Sequence, residues 1–280
     1  TRKSTAVPAW AGGQMSLSDL LTHHLREEVA RAGRGELDSP ELKALEPLFE
    51  RQMDLSTLPS SEQLLIETCR TREGMHLYAF PFEGRFVHEG LGFLWATRLT
   101  RCHRGTITVS VNDYGFELLA PLGYPMDDLL EEHLEHLLDD RDLEDDLEQA
   151  LNLSELCRRR FRSIAQVSGL LVQGFPGKSK STGQLQISGS LLWEVFNKHE
   201  PGNLLLRQAQ HEVLQEQLEL PRLRSALQRM RRGETLHCPT PRPTPLAFPL
   251  LVERLNNRMS NESVLERILR MQADALRNER

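Results

Sequence analysis

Gly177-Lys178-Ser179, inside "QGFPGKSKSTGQLQ" at 173–186, ends the way a nucleotide phosphate-binding loop ends. Such a loop needs a glycine five residues before its Gly-Lys pair, so that consecutive backbone N–H groups can wrap the phosphates. Here that position is Val172. No strand-borne acid with a clear magnesium role follows, and the nucleotide reading fails. Two readings stay open: a solvated basic loop, or a contact to a different phosphate. In the second, Lys178 and Lys180 on a Gly-hinged loop join Arg158, Arg159 and Arg162 to meet a nucleic-acid backbone.

The other chemistry-bearing residues are thinner. His133 and His136 stand three apart among carboxylates, a spacing that helical metal sites use, but so acidic a helix ordinarily just solvates its charges. Cys102-His103 and His237-Cys238 are adjacent pairs, better suited to turns and interiors than to tetrahedral ligation. The four cysteines contain no C-x-x-C pair, and a chain of 280 residues needs no disulfides, so they read as reduced thiols in a cytoplasmic protein. No G-x-S-x-G elbow is present, and Asp113 in "VNDYG" reads as a hairpin-turn residue. Trp10 lies outside any amphipathic pattern, in a Gly-flanked lead beside Arg2 and Lys3. It packs under a loop or is presented for base stacking.

Charge is distributed in blocks. The formal net charge is −6, which argues against a uniformly basic nucleic-acid binder. Residues 127–148 carry twelve acids and one base, Arg141, while 156–193 carry six bases and no acid. Local field rather than mean charge governs binding. Apolar content of 39% and charged content of 26% describe a globular chain, with no apolar run long enough to cross a bilayer and no secretory signal. The missing initiator Met is what a piece of a longer polypeptide would show.

These residues must be held by elements that the patterns predict. Leu17, Leu21, Leu25 and Val29 predict a first helix, and Ser39-Pro40 opens a second that contains Pro47. "LLIETCRTREGMHLYAFPF" reads as two strands around "TREG", "GRFVHEGLGFLWATRLTRC" as a helix, and "TITVSVNDYGFELLA" as a second hairpin. The acidic block keeps leucines at helical spacing and predicts two amphipathic helices with solvated acidic faces. Further helices are expected over roughly 153–168, 188–198, 203–230 and 260–277, with the Pro-rich 238–249 as an extended connector. The expected fold is α+β and predominantly helical, with a small antiparallel sheet of two hairpins and an intervening helix. Its division is a lead over 1–15, a helix-and-sheet part over 16–125 and a helical part over 126–280.

"PFEGRFVHEGLGFLWATRL", "VNDYGFELLAP", "FRSIAQVSGLLVQGFPGKSK" through "QLQISGSLLWEVF", and "PRPTPLAFPLLVERLNNRMSNE" together resemble the C-terminal domain of Lhr-type superfamily-2 DNA helicases, in the ligase-associated branch. The resemblance runs over nearly the whole chain. It implies a parent in which two RecA-like domains use ATP and magnesium, a winged-helix domain follows, and this domain closes around a strand moved 3′ to 5′ in DNA repair. Neither a Walker A nor a DExH-type motif is found here, so the chain itself is expected to hold no ATP and no metal. The implied partners are single-stranded DNA or a 3′-tailed duplex, and the upstream domains. In the family, a Trp in a "PFW"-like context before Gly stacks on a base. "VPAWAGG" matches it at Trp10, with Ala9 in place of the usual aromatic. The alternative is a protein-interaction scaffold on which the acidic helices or the Pro-rich connector dock a ligase or nuclease.

Overall fold

The computed structural model describes residues 15–172, 174–175, 178–179 and 181–256. Trp10, Lys180 and the helix expected over 260–277 lie outside them. The fold is α+β and predominantly helical. Helices α1 (Asp19–Gly33) and α2 (Pro40–Leu55) begin where Ser18 and Ser39 accept hydrogen bonds from the amides of Leu21 and Leu42. Strands β1 (Leu64–Arg70) and β2 (Met75–Phe80) form the first hairpin, α3 (Arg85–Cys102) follows, and β3 (Thr108–Val111) and β4 (Phe116–Ala120) form the second. Asn112 Oδ1 accepts from the amides of Tyr114 and Gly115, both at 2.9 Å, which sets the second turn.

The sheet differs from expectation at one edge. Its order is β3-β4-β2-β1-β7, where β7 (Thr235–Pro239) lies parallel to β1 and pairs Leu64 with Thr235 and Thr68 with Pro239. The hairpins are antiparallel as expected, and the fifth strand makes the sheet mixed. The first two residues of the expected connector, Cys238 and Pro239, therefore end this strand. Both faces of the sheet are covered. Leu64, Ile66, Leu77, Ala79, Phe116 and Leu118 pack into the main core with α3, and Leu65, Cys69, Tyr78 and Phe80 pack toward α1, α2 and α10 (Phe248–Asn256).

The family motifs explain how α3 is inserted. A Cβ on Gly90 would lie 2.6 Å from Leu223 Cδ2, and one on Gly92 would lie 2.5 Å from Val109 Cγ1, so these glycines admit two neighbours. The loop before α3 is held by charge. Arg26 and Arg229 donate to Glu83 Oε1 at 2.7 and 3.1 Å, and Arg222 donates to the Glu83 carbonyl at 2.8 Å. His88 is fully buried beneath it. Its Nε2 accepts from the Glu83 amide at 2.9 Å and its Nδ1 donates to the Asn112 carbonyl at 2.7 Å, tying the two hairpins together.

The long helix expected over 203–230 is broken. It divides into α8 (Leu204–Glu212), a π-helical turn (Val213–Gln217) and α9 (Leu220–Arg232). Pro221 cannot donate to residue 217, so a continuous helix is forbidden there, and Glu219 takes a left-handed φ of 46°. At the other end of α9, a Cβ on Gly233 would sit 2.0 Å from the Glu62 carbonyl oxygen. That contact is what lets β7 run beside β1. Gly233→Ala is expected to lower stability by about 1–3 kcal/mol or more, since backbone must move to admit the methyl. Urea unfolding measures it, and an unchanged midpoint would refute the steric role.

Candidate nucleic-acid interface

The acidic block forms α4 (Met126–Leu137) and α5 (Leu143–Glu148), the two helices expected. Part of its charge is not solvated. Arg98, 1% exposed, donates from Nε to Asp146 Oδ2 at 2.8 Å and from one guanidinium nitrogen to the carbonyls of His136 and Asp139 at 2.5 and 2.8 Å. It thereby binds carbonyls at the C-terminal end of α4 and in the turn that follows it. Arg101 also pairs with Asp146. Arg224 donates to the Asp140 carbonyl and to Glu144, and Arg231 lies 3.7 Å from Asp139. Burial works to raise the Asp146 carboxyl, and hydrogen bonds from Arg101 and Arg98 overcome it and leave it lowered. Sequence reasoning missed these arginines because their partners lie 38 or more residues away along the chain.

The basic side is built on α6 (Leu151–Val167). Leu153, Cys157, Phe161 and Ala165 recur every four residues and are all buried, which fixes the helix's inward face. The arginines fall off that stripe. Acids nevertheless reach most of them, although 156–193 contains none. Arg158 and Arg159 lie 3.9 and 3.5 Å from Glu155, one turn earlier, and Arg160 is stapled to Glu212 and Glu216. Arg162 is the exception. Among the described residues it has no ion pair, and its Nε is buried without a hydrogen-bond partner. It crosses Gly189 of α7 (Thr182–His199), where a Cβ would lie 3.0 Å from Arg162 Cγ. Gly189, inside a helical pattern, was the sequence signal for this close crossing.

α6 and α7 pack against each other, with the Phe161 ring edge-on to Trp193 at 5.5 Å. Between them lies a ribbon of two short strands, β5 (Gly174–Phe175) and β6 (Lys178–Ser179), in which Phe175 pairs with Lys178. α7 starts earlier than expected because Ser181 and Gln184 form a reciprocal capping box. Lys178 and Ser179 thus lie in a short ribbon strand before α7, rather than in the first turn of the helix that a nucleotide loop opens.

Several chemistries are weakened by the surroundings. Asp113 pairs with Arg85 at 2.9 Å in the turn, as its expected structural role requires. Burial pushes the Cys157 thiol up to about 11 and the Cys69 thiol up to about 12, which suppresses thiolate formation at neutral pH. All four cysteines are free thiols. His133 lies 3.7 Å from Glu132, and among the described residues no three His, Cys, Asp or Glu side chains converge to hold a metal. No described helix is long and apolar enough to cross a membrane.

A family model described as DEAD/H associated matches residues 58–247, which run from the residues before β1 through the whole sheet, α6, the ribbon and α9. The chain belongs to the DEAD/H-associated family. Its relatives bear out the Lhr-type resemblance carried by the motifs. The domain is 25% identical over 229 residues to the ATP-dependent helicase Lhr-Core protein 2 of Thermococcus barophilus, covering 76% of this chain and 26% of that protein. It is 25% identical over 249 residues to ATP-dependent helicase Lhr-Core of Methanocaldococcus jannaschii, covering 85% of this chain and 28% of that protein. Among solved structures, the fold matches Mycobacterium smegmatis helicase Lhr, determined with ssDNA and AMP-PNP. The TM-score is 0.67 at 20% identity, covering 89% of this chain and 33% of that one. This DEAD/H-associated domain therefore spans about a quarter to a third of the length of the proteins it matches.

Proposed function

We propose that this domain belongs to an ATP-dependent 3′-to-5′ DNA helicase of DNA repair and helps to hold the single strand on which that helicase moves. ATP and magnesium serve RecA-like domains elsewhere in the polypeptide, and the chain itself supplies backbone and base contacts. The observation that carries this reading is Arg162. It is a cation without an acid partner among the described residues, positioned by Gly189 on the helix that leads into the ribbon of Lys178. A phosphate is the partner it lacks. Arg158 and Arg159 share one acid, Glu155, between two charges, which leaves net positive charge on the same helix. Lys180 and Trp10 complete the proposed site, Trp10 as a base-stacking platform. A helicase relative solved with ssDNA and AMP-PNP on the same fold supports the class of ligand.

Fluorescence titration with single-stranded oligonucleotides tests each part. Trp10→Ala should lose on the order of 1–3 kcal/mol of affinity, roughly 5- to 150-fold, if the ring stacks on a base. Binding as tight as the parent would end that role. Arg162→Ala and Lys178→Ala should each weaken binding and lower the salt slope by about 0.7. An unchanged slope would remove the phosphate contact.

A further inference from the structure

Among the described side chains one aromatic ring is exposed, that of Tyr114, 46% accessible at the tip of the β3–β4 hairpin. Every other described aromatic side chain is buried or half-buried. The turn itself does not ask for a ring. Asn112 Oδ1 accepts from the Tyr114 and Gly115 amides, and the Asn112 amide donates to the Gly115 carbonyl at 3.0 Å. Position 115 needs glycine, because a Cβ there would lie 2.3 Å from the Ala79 carbonyl oxygen. Tyr114 gives the turn only its backbone.

That backbone is held from several sides. The Tyr114 carbonyl accepts from the Phe82 amide at 3.2 Å, Asp113 pairs with Arg85, and the Asn112 carbonyl accepts from buried His88. Phe82 has a φ of 54°, a left-handed conformation that a bulky residue keeps only where its surroundings over-determine it, and such strain gathers at ligand clamps. Here the arginines on Glu83 and the His88 ring supply the constraint. The same loop receives the end of the N-terminal lead. A Cβ on Gly84 would lie 3.0 Å from Ser16 Oγ and 3.2 Å from the Leu17 carbonyl oxygen, to which Arg222 donates at 3.2 Å. The chain from Leu17 back to Trp10 spans at most about 25 Å when extended. Tyr114 therefore stands on the loop from which the chain leads back to Trp10.

We infer that Tyr114 is a nucleobase-stacking platform, a second aromatic contact for the single strand that this domain is proposed to hold. The inference deepens the proposed function and rests on it. A tyrosine face accepts any base, and its two side-chain torsions cost little entropy to fix. The contact is to a base rather than to a phosphate. Arg85, the cation beside the turn, is paired with Asp113, and Glu89 and Glu253 act on it as well, so the turn offers a phosphate no surplus positive charge. Loss of the ring should then lower affinity without altering the salt slope, the opposite of what losing a phosphate contact does.

Fluorescence anisotropy with labelled oligothymidylate, and with an abasic strand of the same length, compares the 280-residue chain with Tyr114→Ala and Tyr114→Phe. Tyr114→Ala should bind oligothymidylate about fivefold or more weakly at an unchanged salt slope, and Tyr114→Phe should bind like the parent. The abasic strand should bind parent and Tyr114→Ala equally. Urea unfolding midpoints should agree among all three, because the ring is exposed and the turn is held through backbone. Tyr114→Ala binding oligothymidylate as tightly as the parent would overturn the inference. An equal loss on the abasic strand, or a loss that Tyr114→Phe shares, would overturn it too. If Arg162→Ala and Lys178→Ala weaken binding and Tyr114→Ala does not, the phosphate contacts stand and the platform falls. The converse result keeps the platform and removes those contacts, and a parent that binds neither strand overturns both.

Discussion

Asp146→Ala is expected to destabilise the domain by about 3–5 kcal/mol, because it strips a buried guanidinium of its counter-charge. Arg98 is 1% exposed and cannot turn to water. Its bonds to the His136, Leu137 and Asp139 carbonyls would survive, but neutral acceptors do not offset a desolvated charge. Urea unfolding provides the measurement. A loss below about 1 kcal/mol would mean that the carbonyls alone hold Arg98. Replacing both partners with apolar residues, Arg98→Met with Asp146→Leu, should cost much less than Asp146→Ala alone, since a buried pair is weak evidence for net stability while half of one is strongly unfavourable. The three carbonyls that Arg98 binds would remain as the residual cost of the double change.

The second large effect is a loss of stability in mild acid caused by His88. Burial lowers its pKa from 6.5 to about 4, and the hydrogen bond to the Asn112 carbonyl only partly opposes this. The folded state therefore holds the neutral ring where the unfolded chain already binds a proton. Its contribution is fully present above about pH 6.5 and is lost progressively as pH falls toward 4, where the folded form also protonates. The shift corresponds to on the order of 3 kcal/mol across that window. Unfolding free energy measured from pH 7 to 4 should fall in the parent, and the slope between 6.5 and 4 should flatten in His88→Gln. The imidazole resonances should stay those of a neutral ring down to about pH 4. Titration of this ring near 6.5 would refute the account.

Much of the fold was legible because local signals agreed with the tertiary result. The alternation Ile107, Val109, Val111 and the "NDYG" turn specify a hairpin whose partner is a few residues away. Ser39-Pro40 opens α2 where it was expected, and Pro47 is carried inside it. The misses share a cause, which is dependence on distant residues. β7 has five residues and a Pro-rich continuation, and only the register with β1 makes it a strand. The acidic faces looked solvated because the arginines of α3 and α9 that meet them are remote in sequence. The reverse error occurred on α6, where an acid-free run suggested unpaired arginines and folding delivers Glu212 and Glu216 to Arg160. Pro221 is a case of a local signal given too little weight. At the proposed site, Arg158, Arg159 and Arg162 do share α6 and lead toward Lys178, and Arg162 alone has no acid opposite it among the described residues.

The parallel strand carries a consequence for how the domain comes into being on the ribosome. Thr68 and His237 meet across β1 and β7 although 169 residues separate them. The two antiparallel hairpins can close as soon as they emerge, since their loops are short. The fifth position of the sheet must wait while α4 to α9 are translated, about 10 s at ordinary elongation rates. Throughout that interval the β1 edge presents unpaired amide and carbonyl groups, with Leu64, Leu65 and Ile66 alongside. A chain stopped short of Thr235 should therefore be prone to self-association. For this domain, solubility during synthesis is decided by its last strand.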